Sequence, residues 1–336
     1  MRKKLTGYIQ LTRPYAAYLT PIIIILGAIC NNEFNLFRLL ILFIIGIFVH
    51  IAFMIQNDYF DIEVDKKSDY VVHRPLASGI ISKEAALFSW ILSFLIPIAL
   101  TLIFFPKISS LIVFALSVLL ISIYNKYSKN VPGMEYVAGI TAFLGGIFGA
   151  ICVADSISNL SLIISLLAGI KYVFNIGISA NIKDLKYDKK SGLKTTPIYF
   201  GVRAEDDKLL VSKKFILYAY VIKLTYIVIG ILPVIYGYVH YQLYDFPIPI
   251  VLYILCTMGI FYTIWMILST SFSYRRKMIF YEGAHELFSY FILPVSIMTF
   301  LVEHLGIISF LLLVVIPPLW AKFTINVFFA KGKPNE

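Results

Sequence analysis

Long apolar runs separated by short polar breaks make up most of the chain. Runs of about 20 residues are long enough to cross a bilayer as helices. They fall near 15–30, 37–56, 86–105, 108–124, 134–153, 160–180, 215–239, 248–270, 287–302 and 305–329. Only Glu303 and His304 separate the last two, so the pattern predicts nine or ten spans. The expected fold class is all-α, a polytopic membrane helix bundle.

The breaks alternate in character. One set (the N-terminus with Arg2, Lys3 and Lys4, then 57–85, 124–133, 181–214, 271–286 and the C-terminal tail) holds nearly all the basic residues. The other set (31–36, 106–107, 154–159, 240–247, 303–304) contains only Lys107. The positive-inside rule makes the first set cytoplasmic and suggests a cell membrane protein with its N-terminus inside.

Composition agrees: the 336 residues are 60% hydrophobic and 14% charged, with a mean hydropathy of +0.85. The net charge of +10 follows this topology and attracts anionic headgroups, so no nucleic-acid partner is expected. Cys30, Cys152 and Cys256 lie far apart in or beside apolar segments, as packing residues rather than metal ligands. Arg13–Pro14 interrupts the basic start before the apolar core, which reads against a cleavable signal peptide. Arg13 is either a topology anchor or a substrate contact. No linker divides the chain, so 1–336 is expected to be one domain.

Two polar breaks carry chemistry. The first, QNDYFDIEVDKKSDYVVHRPLASG (56–79), holds Asp58, Asp61, Glu63, Asp65 and Asp69. In a helix Asn57, Asp61 and Asp65 share one face. Oxygen ligands so aligned suit a hard divalent cation, and Arg74 behind them suits a phosphate. The second break, SANIKDLKYDKKSGLKTTPIYFGVR (179–203), places Asn181, Asp184 and Asp188 on one helical face. Each break follows two apolar segments and precedes two more. This predicts two parallel four-helix pseudo-repeats whose acidic ends face a central cavity.

The first break resembles the Asp-rich signature of the UbiA superfamily of intramembrane polyprenyltransferases: Asn57, Asp58, Asp61 and Asp65, then Arg74, Pro75, Leu76, Ser78 and Gly79. The second is similar to that family's other signature, with Asp184 and Asp188 followed by Gly192, Lys194, Thr195, Pro197 and Gly201. The likeness spans roughly 5–300, and the last hydrophobic segment carries no function in it. Asn181 stands where many members have aspartate, and Ala17 where many aromatic-acceptor members have asparagine.

The resemblance implies Mg²⁺-dependent transfer of a prenyl group from a diphosphate, such as geranylgeranyl diphosphate, to a small acceptor in the membrane. Two Mg²⁺ ions would be held by Asn57, Asp58, Asp61 and Asp65 and by Asn181, Asp184 and Asp188. Asp61, Asp65, Asp184 and Asp188 would thereby be catalytic. Arg74, Lys126, Lys183 and Lys194 would meet the diphosphate, and Tyr124 would face the allylic cation. Arg13, Lys171 and His285 are candidates for the acceptor. Lys171 falls mid-span, where a lysine is a functional candidate. Lys223 is expected to snorkel, and Glu286 to serve a helix dipole.

The leading acceptor is an aromatic ring of quinone biosynthesis. The alternative is a prenylated glycerol phosphate, as in archaeal ether lipids. A transporter with an acidic vestibule is a different class, disfavoured because the acids sit at span ends. The intact acidic positions argue against a silent paralogue.

Overall fold

A computed structural model describes residues 2–67, 71–205, 208–269 and 275–329; Asp69 and the basic tail lie outside the described residues. The helices in chain order are α1 (Arg2–Leu11), α2 (Leu19–Ile29), α3 (Leu36–Asp65), α4 (Lys83–Phe104), α5 (Ile108–Tyr127), α6 (Met134–Val153) and α7 (Asn159–Phe174). A π-helical stretch, Asn175–Ala180, leads into the short helices α8 (Asn181–Lys183), α9 (Leu185–Lys190) and α10 (Thr196–Tyr199). A hairpin of β1 (Arg203–Glu205) and β2 (Lys208–Leu210) follows. Then come α11 (Lys213–Ile235), α12 (Ile248–Ser269), α13 (Arg275–Val295) and α14 (Met298–Phe328).

Among the described residues eight helices are long and apolar enough to cross a membrane, or nine if the bent pair Lys3–Ala16 and Leu19–Ile29 is one span. The expected spans at 287–302 and 305–329 take different bounds. Glu303 and His304 are exposed within α14, and the expected break follows directly behind them at Gly306, whose backbone is non-helical (φ 79°, ψ 160°), so that α14 is two helices joined at a kink. A further break, not expected from the sequence, lies between Val295 and Met298, just after Pro294, whose ring and missing N–H disrupt the helix.

Local chemistry fixes several boundaries. Asn35 accepts from the N–H groups of Phe37 and Arg38 at the start of α3. Ser82 and Ser212 cap α4 and α11 in the same way. Outward faces of α4 and α5 carry exposed Phe88, Leu95, Ile103, Ile112 and Leu119, as a lipid-facing surface requires.

The chain forms two compact units. The first gathers 1–126, 144–161 and 315–336; the second gathers 127–143 and 162–314. In the first, α2 crosses the end of α6 so closely that a Cβ on Gly149 would lie 1.9 Å from the Ile24 carbonyl oxygen. Beneath the first acidic motif, Leu11, Ile55, Ile62, Leu76, Ile81 and Ala86 form a buried cluster flanked by Tyr59 and Trp90. Leu76 thereby anchors the segment that carries Arg74. In the second unit, α12 and α13 pack as a hairpin, and α13 runs beside the π-helical stretch.

Candidate active site

In the first unit the acidic motif is the end of α3, so the expected helical face is real. Asp58, Asp61 and Asp65 are all buried. Glu63, Lys66 and Lys67 are exposed on the other side, with Lys66 and Glu63 paired at 3.0 Å.

The Asp58 and Asp65 carboxylates carry counter-charge. Arg74 Nη1 lies 2.8 Å from Asp65 Oδ2 and 3.4 Å from Asp58 Oδ1. Arg13 donates to the same Asp58 oxygen and, at 3.3 Å, to Asn57 Oδ1. Asp58 thus orients two guanidinium groups, and Arg13 belongs to the acidic site rather than to the interface. A left-handed backbone at Arg13 (φ 44°, ψ 61°) costs a non-glycine residue on the order of 1–3 kcal/mol, so its neighbours must enforce it.

Side chains not singled out in the sequence hold Asn57. Its amide donates to Asn125 Oδ1 at 3.3 Å; Asn125 donates to Gln56 Oε1 at 2.7 Å, and Gln56 to Ser122 Oγ at 2.8 Å. Amides placed in otherwise apolar helix ends were the available signal. Tyr124 stacks on Phe53 with ring centroids 6.3 Å apart, while Lys126 is exposed.

In the second unit Asp188 is fully buried, and both carboxylate oxygens lack a hydrogen-bond partner among the described residues. Burial pushes its carboxyl up to about 6; Lys129 pulls it down and Asp184 pushes it up. A desolvated carboxylate without donors is costly, and a bound cation would reverse that cost. Asp184 is one turn earlier, its carbonyl accepting the Asp188 N–H at 2.9 Å. The donors therefore fit Mg²⁺. Among the described residues no three acidic, His or Cys side chains form a preformed cage, as expected where phosphate oxygens and water complete the shell.

Around this loop, Lys183 pairs with Glu282 of α13 at 3.7 Å. Lys194 is exposed, with its backbone N–H bonded to the Lys129 carbonyl at 2.9 Å. Glu135, missed in the sequence because it looked like an ordinary helix-start acid, is buried. It accepts from Thr196 at 2.8 Å and Tyr218 at 2.7 Å. Gly177 in the π-helical stretch leaves room for it: a Cβ there would lie 2.8 Å from Glu135 Oε1.

Lys171 is fully buried and paired with Glu286, which also accepts from Asn175. Glu286 therefore serves this pair from within α13 and not a helix start. Lys223 does not snorkel: it is buried, 2.8 Å from Ser289 Oγ, with its ammonium over the Phe174 and Tyr226 rings at 4.3 and 4.8 Å. A hydroxyl and two ring faces supply what the interface would have supplied. His285 is buried too, stacked on Phe174 (4.4 Å) and 2.9 Å from Thr263 Oγ1.

Known proteins are similar to this chain in sequence and fold. The model of the UbiA prenyltransferase family matches residues 18–282. A digeranylgeranylglyceryl phosphate synthase of Korarchaeum cryptofilum is 31% identical over 235 residues, 69% of this chain and 78% of that protein. The corresponding synthase of Pyrococcus furiosus is 31% identical over 201 residues, 58% of this chain and 69% of the relative. The fold matches a solved UbiA homologue of Aeropyrum pernix (TM-score 0.64, 15% identity, 85% of this chain and 98% of that one). It also matches one of Archaeoglobus fulgidus bound to GPP and Mg²⁺ (TM-score 0.58, 18% identity, 86% and 99%).

Proposed function

The chain belongs to the UbiA prenyltransferase family, and from that premise we propose that it transfers a prenyl group from an isoprenyl diphosphate to a glycerol-phosphate lipid. It is an integral membrane prenyltransferase; what we add is the acceptor, the residue roles and the orientation. The synthases similar to it in sequence favour a glycerol-phosphate acceptor over the quinone-pathway ring. The Ala17 position points the same way. The diphosphate chemistry rests on one observation, the buried Asp188 carboxylate without hydrogen-bond donors.

Asn57, Asp61 and Asp65 are proposed to hold one Mg²⁺, and Asp184 and Asp188, with Asn181 beside them, a second. When bound, Mg²⁺ supplies neutralisation of charge on the departing diphosphate. Asp58 keeps Arg13 and Arg74 aimed, so that their N–H groups meet phosphate oxygens without reorganising as charge develops. Lys126, Lys183 and Lys194 add positive charge at the loop ends. The Tyr124 ring, braced by Phe53, offers its face to the allylic carbon. The prenyl C–O bond to diphosphate breaks, a bond to the acceptor hydroxyl oxygen forms, and the hydroxyl proton leaves with water or phosphate. Lys171 and His285, both enclosed, are assigned to holding α7, α12 and α13 together rather than to the acceptor. The positive-inside pattern places the acidic loops on the cytoplasmic side of the cell membrane.

The test is turnover of purified, lipid-reconstituted protein with geranylgeranyl diphosphate, with and without Mg²⁺. Geranylgeranylglyceryl phosphate competes in it against an aromatic hydroxyacid. Product on the glycerol phosphate, abolished by chelation, is expected. Product on the aromatic ring alone refutes the acceptor; diphosphate release that survives chelation refutes the mechanism.

A further inference from the structure

Arg13 is held from both sides of its strained turn. On one side the Thr12 carbonyl accepts from His50 Nε2 of α3 at 3.0 Å. On the other, the Pro14 carbonyl accepts the indole N–H of Trp320, at 2.7 Å, from the last third of α14. Two further contacts fasten the same helix end to the N-terminal segment. Gln10 Nε2 donates to the Phe328 carbonyl at 2.8 Å, and the Phe329 ring meets Tyr15 edge-on at 5.1 Å. All of these residues lie in the first unit.

The backbone explains why a brace is needed. A residue before proline is driven toward extended conformations, yet Arg13 is left-handed. Released, the Arg13–Pro14 bond would relax and swing the guanidinium off Asn57 and Asp58. The 3₁₀ turn that follows (Pro14–Ala16) has no side-chain cap of its own. Trp320 and Phe328 lie beyond the 18–282 region that the family model matches.

We propose that the end of α14 is a positioning element for the first acidic motif, with Trp320 holding the Pro14 carbonyl so that Arg13 stays aimed at Asn57 and Asp58. The proposal rests on the reading of that motif as a diphosphate site. Trp320 touches no reacting atom and acts through Arg13.

The experiment is a two-by-two set in full-length reconstituted protein: wild type, Trp320→Phe, Arg13→Gln and the double variant. KM for geranylgeranyl diphosphate, kcat and thermal midpoint are measured for each. Trp320→Phe keeps the ring and removes the donor, and is expected to raise KM about 3- to 10-fold with little change in thermal midpoint. In the Arg13→Gln background it should add nothing. Equal effects in both backgrounds, or a fall in midpoint with KM unchanged, overturn the brace. Should Trp320→Phe not fold, Gln10→Ala loosens the same helix end and must give the same non-additivity with Arg13→Gln. If Arg13→Gln itself leaves KM unchanged, the diphosphate reading of the motif fails. If Arg13→Gln raises KM and Trp320→Phe does not, the brace alone fails.

Discussion

Removing the Glu286 carboxylate should destabilise the protein more than any surface change. Lys171 has no exposed side-chain area, whereas Glu286 retains 26%. Glu286→Ala strands two donors at once, the Lys171 ammonium and the Asn175 amide, whose own Oδ1 already lacks a partner among the described residues. Orphaning one member of a buried pair costs about 3–5 kcal/mol. The residual exposure of Glu286 argues for the lower end, about 3 kcal/mol, or roughly a hundredfold in the folded-to-unfolded ratio. Removing both charges, as Lys171→Met with Glu286→Met, should recover most of that loss, because two desolvated charges are replaced by apolar packing.

Cys30, Cys152 and Cys256 are buried and reduced, so maleimide labelling against temperature or denaturant reports unfolding directly. If Glu286→Ala costs under about 1 kcal/mol, the pair is not desolvated and the reasoning fails. If the double variant regains stability but not turnover, Lys171 or Glu286 does touch substrate, and its assignment to holding helices is wrong.

Asp188→Asn should leave the Mg²⁺-free protein as stable or slightly more so, since it removes an unpaired buried carboxylate. It should erase the thermal shift that Mg²⁺ with prenyl diphosphate gives the parent and lower turnover at least about 100-fold; a retained shift would place the ion elsewhere. Arg74→Lys keeps one nitrogen to meet Asp58 and Asp65, as Nη1 does, but loses the remaining guanidinium N–H groups that would face phosphate. KM for the prenyl diphosphate should rise about tenfold or more, and unchanged kinetics would remove Arg74 from the site. Gly149→Ala drives a Cβ into the Ile24 carbonyl, while at Gly145 the nearest atom would be 3.7 Å away. The first should cost about 3 kcal/mol or more and the second almost nothing, read as yields and thermal midpoints of the purified variants.

The acidic motifs were legible because ligand spacing is local: Asn57, Asp61 and Asp65 announce a helical face within nine residues. Glu63 and Lys66 could be set aside by the same periodicity. What joins distant segments was not legible. Nothing near Lys171 or Lys223 in the chain shows Glu286 or Ser289, which lie 115 and 66 residues further on. Mid-span lysines therefore looked like snorkellers or ligands. The contact of Asp58 with Arg13 was not legible either, because Arg13 lies 45 residues earlier, in the turn after α1. The polar pair Glu303–His304 marked the kink that falls at Gly306, whereas the break after Pro294 lay inside an apolar run and was not legible.

The π-helical stretch at Asn175–Ala180 also sets a phase. A widened turn of this kind amounts to one residue more than a regular helix needs, and each residue of an α-helix turns the chain by about 100°. Deleting a single residue between Asn175 and Ala180 would let the helix close regularly from α7 into α8. Because the widened turn absorbs that extra residue, Asn181 and everything behind it would keep nearly the same bearing. A one-residue indel in the regular turns of α7 has no such buffer, and it would swing the second acidic loop by about 100° with every ligand still in the sequence.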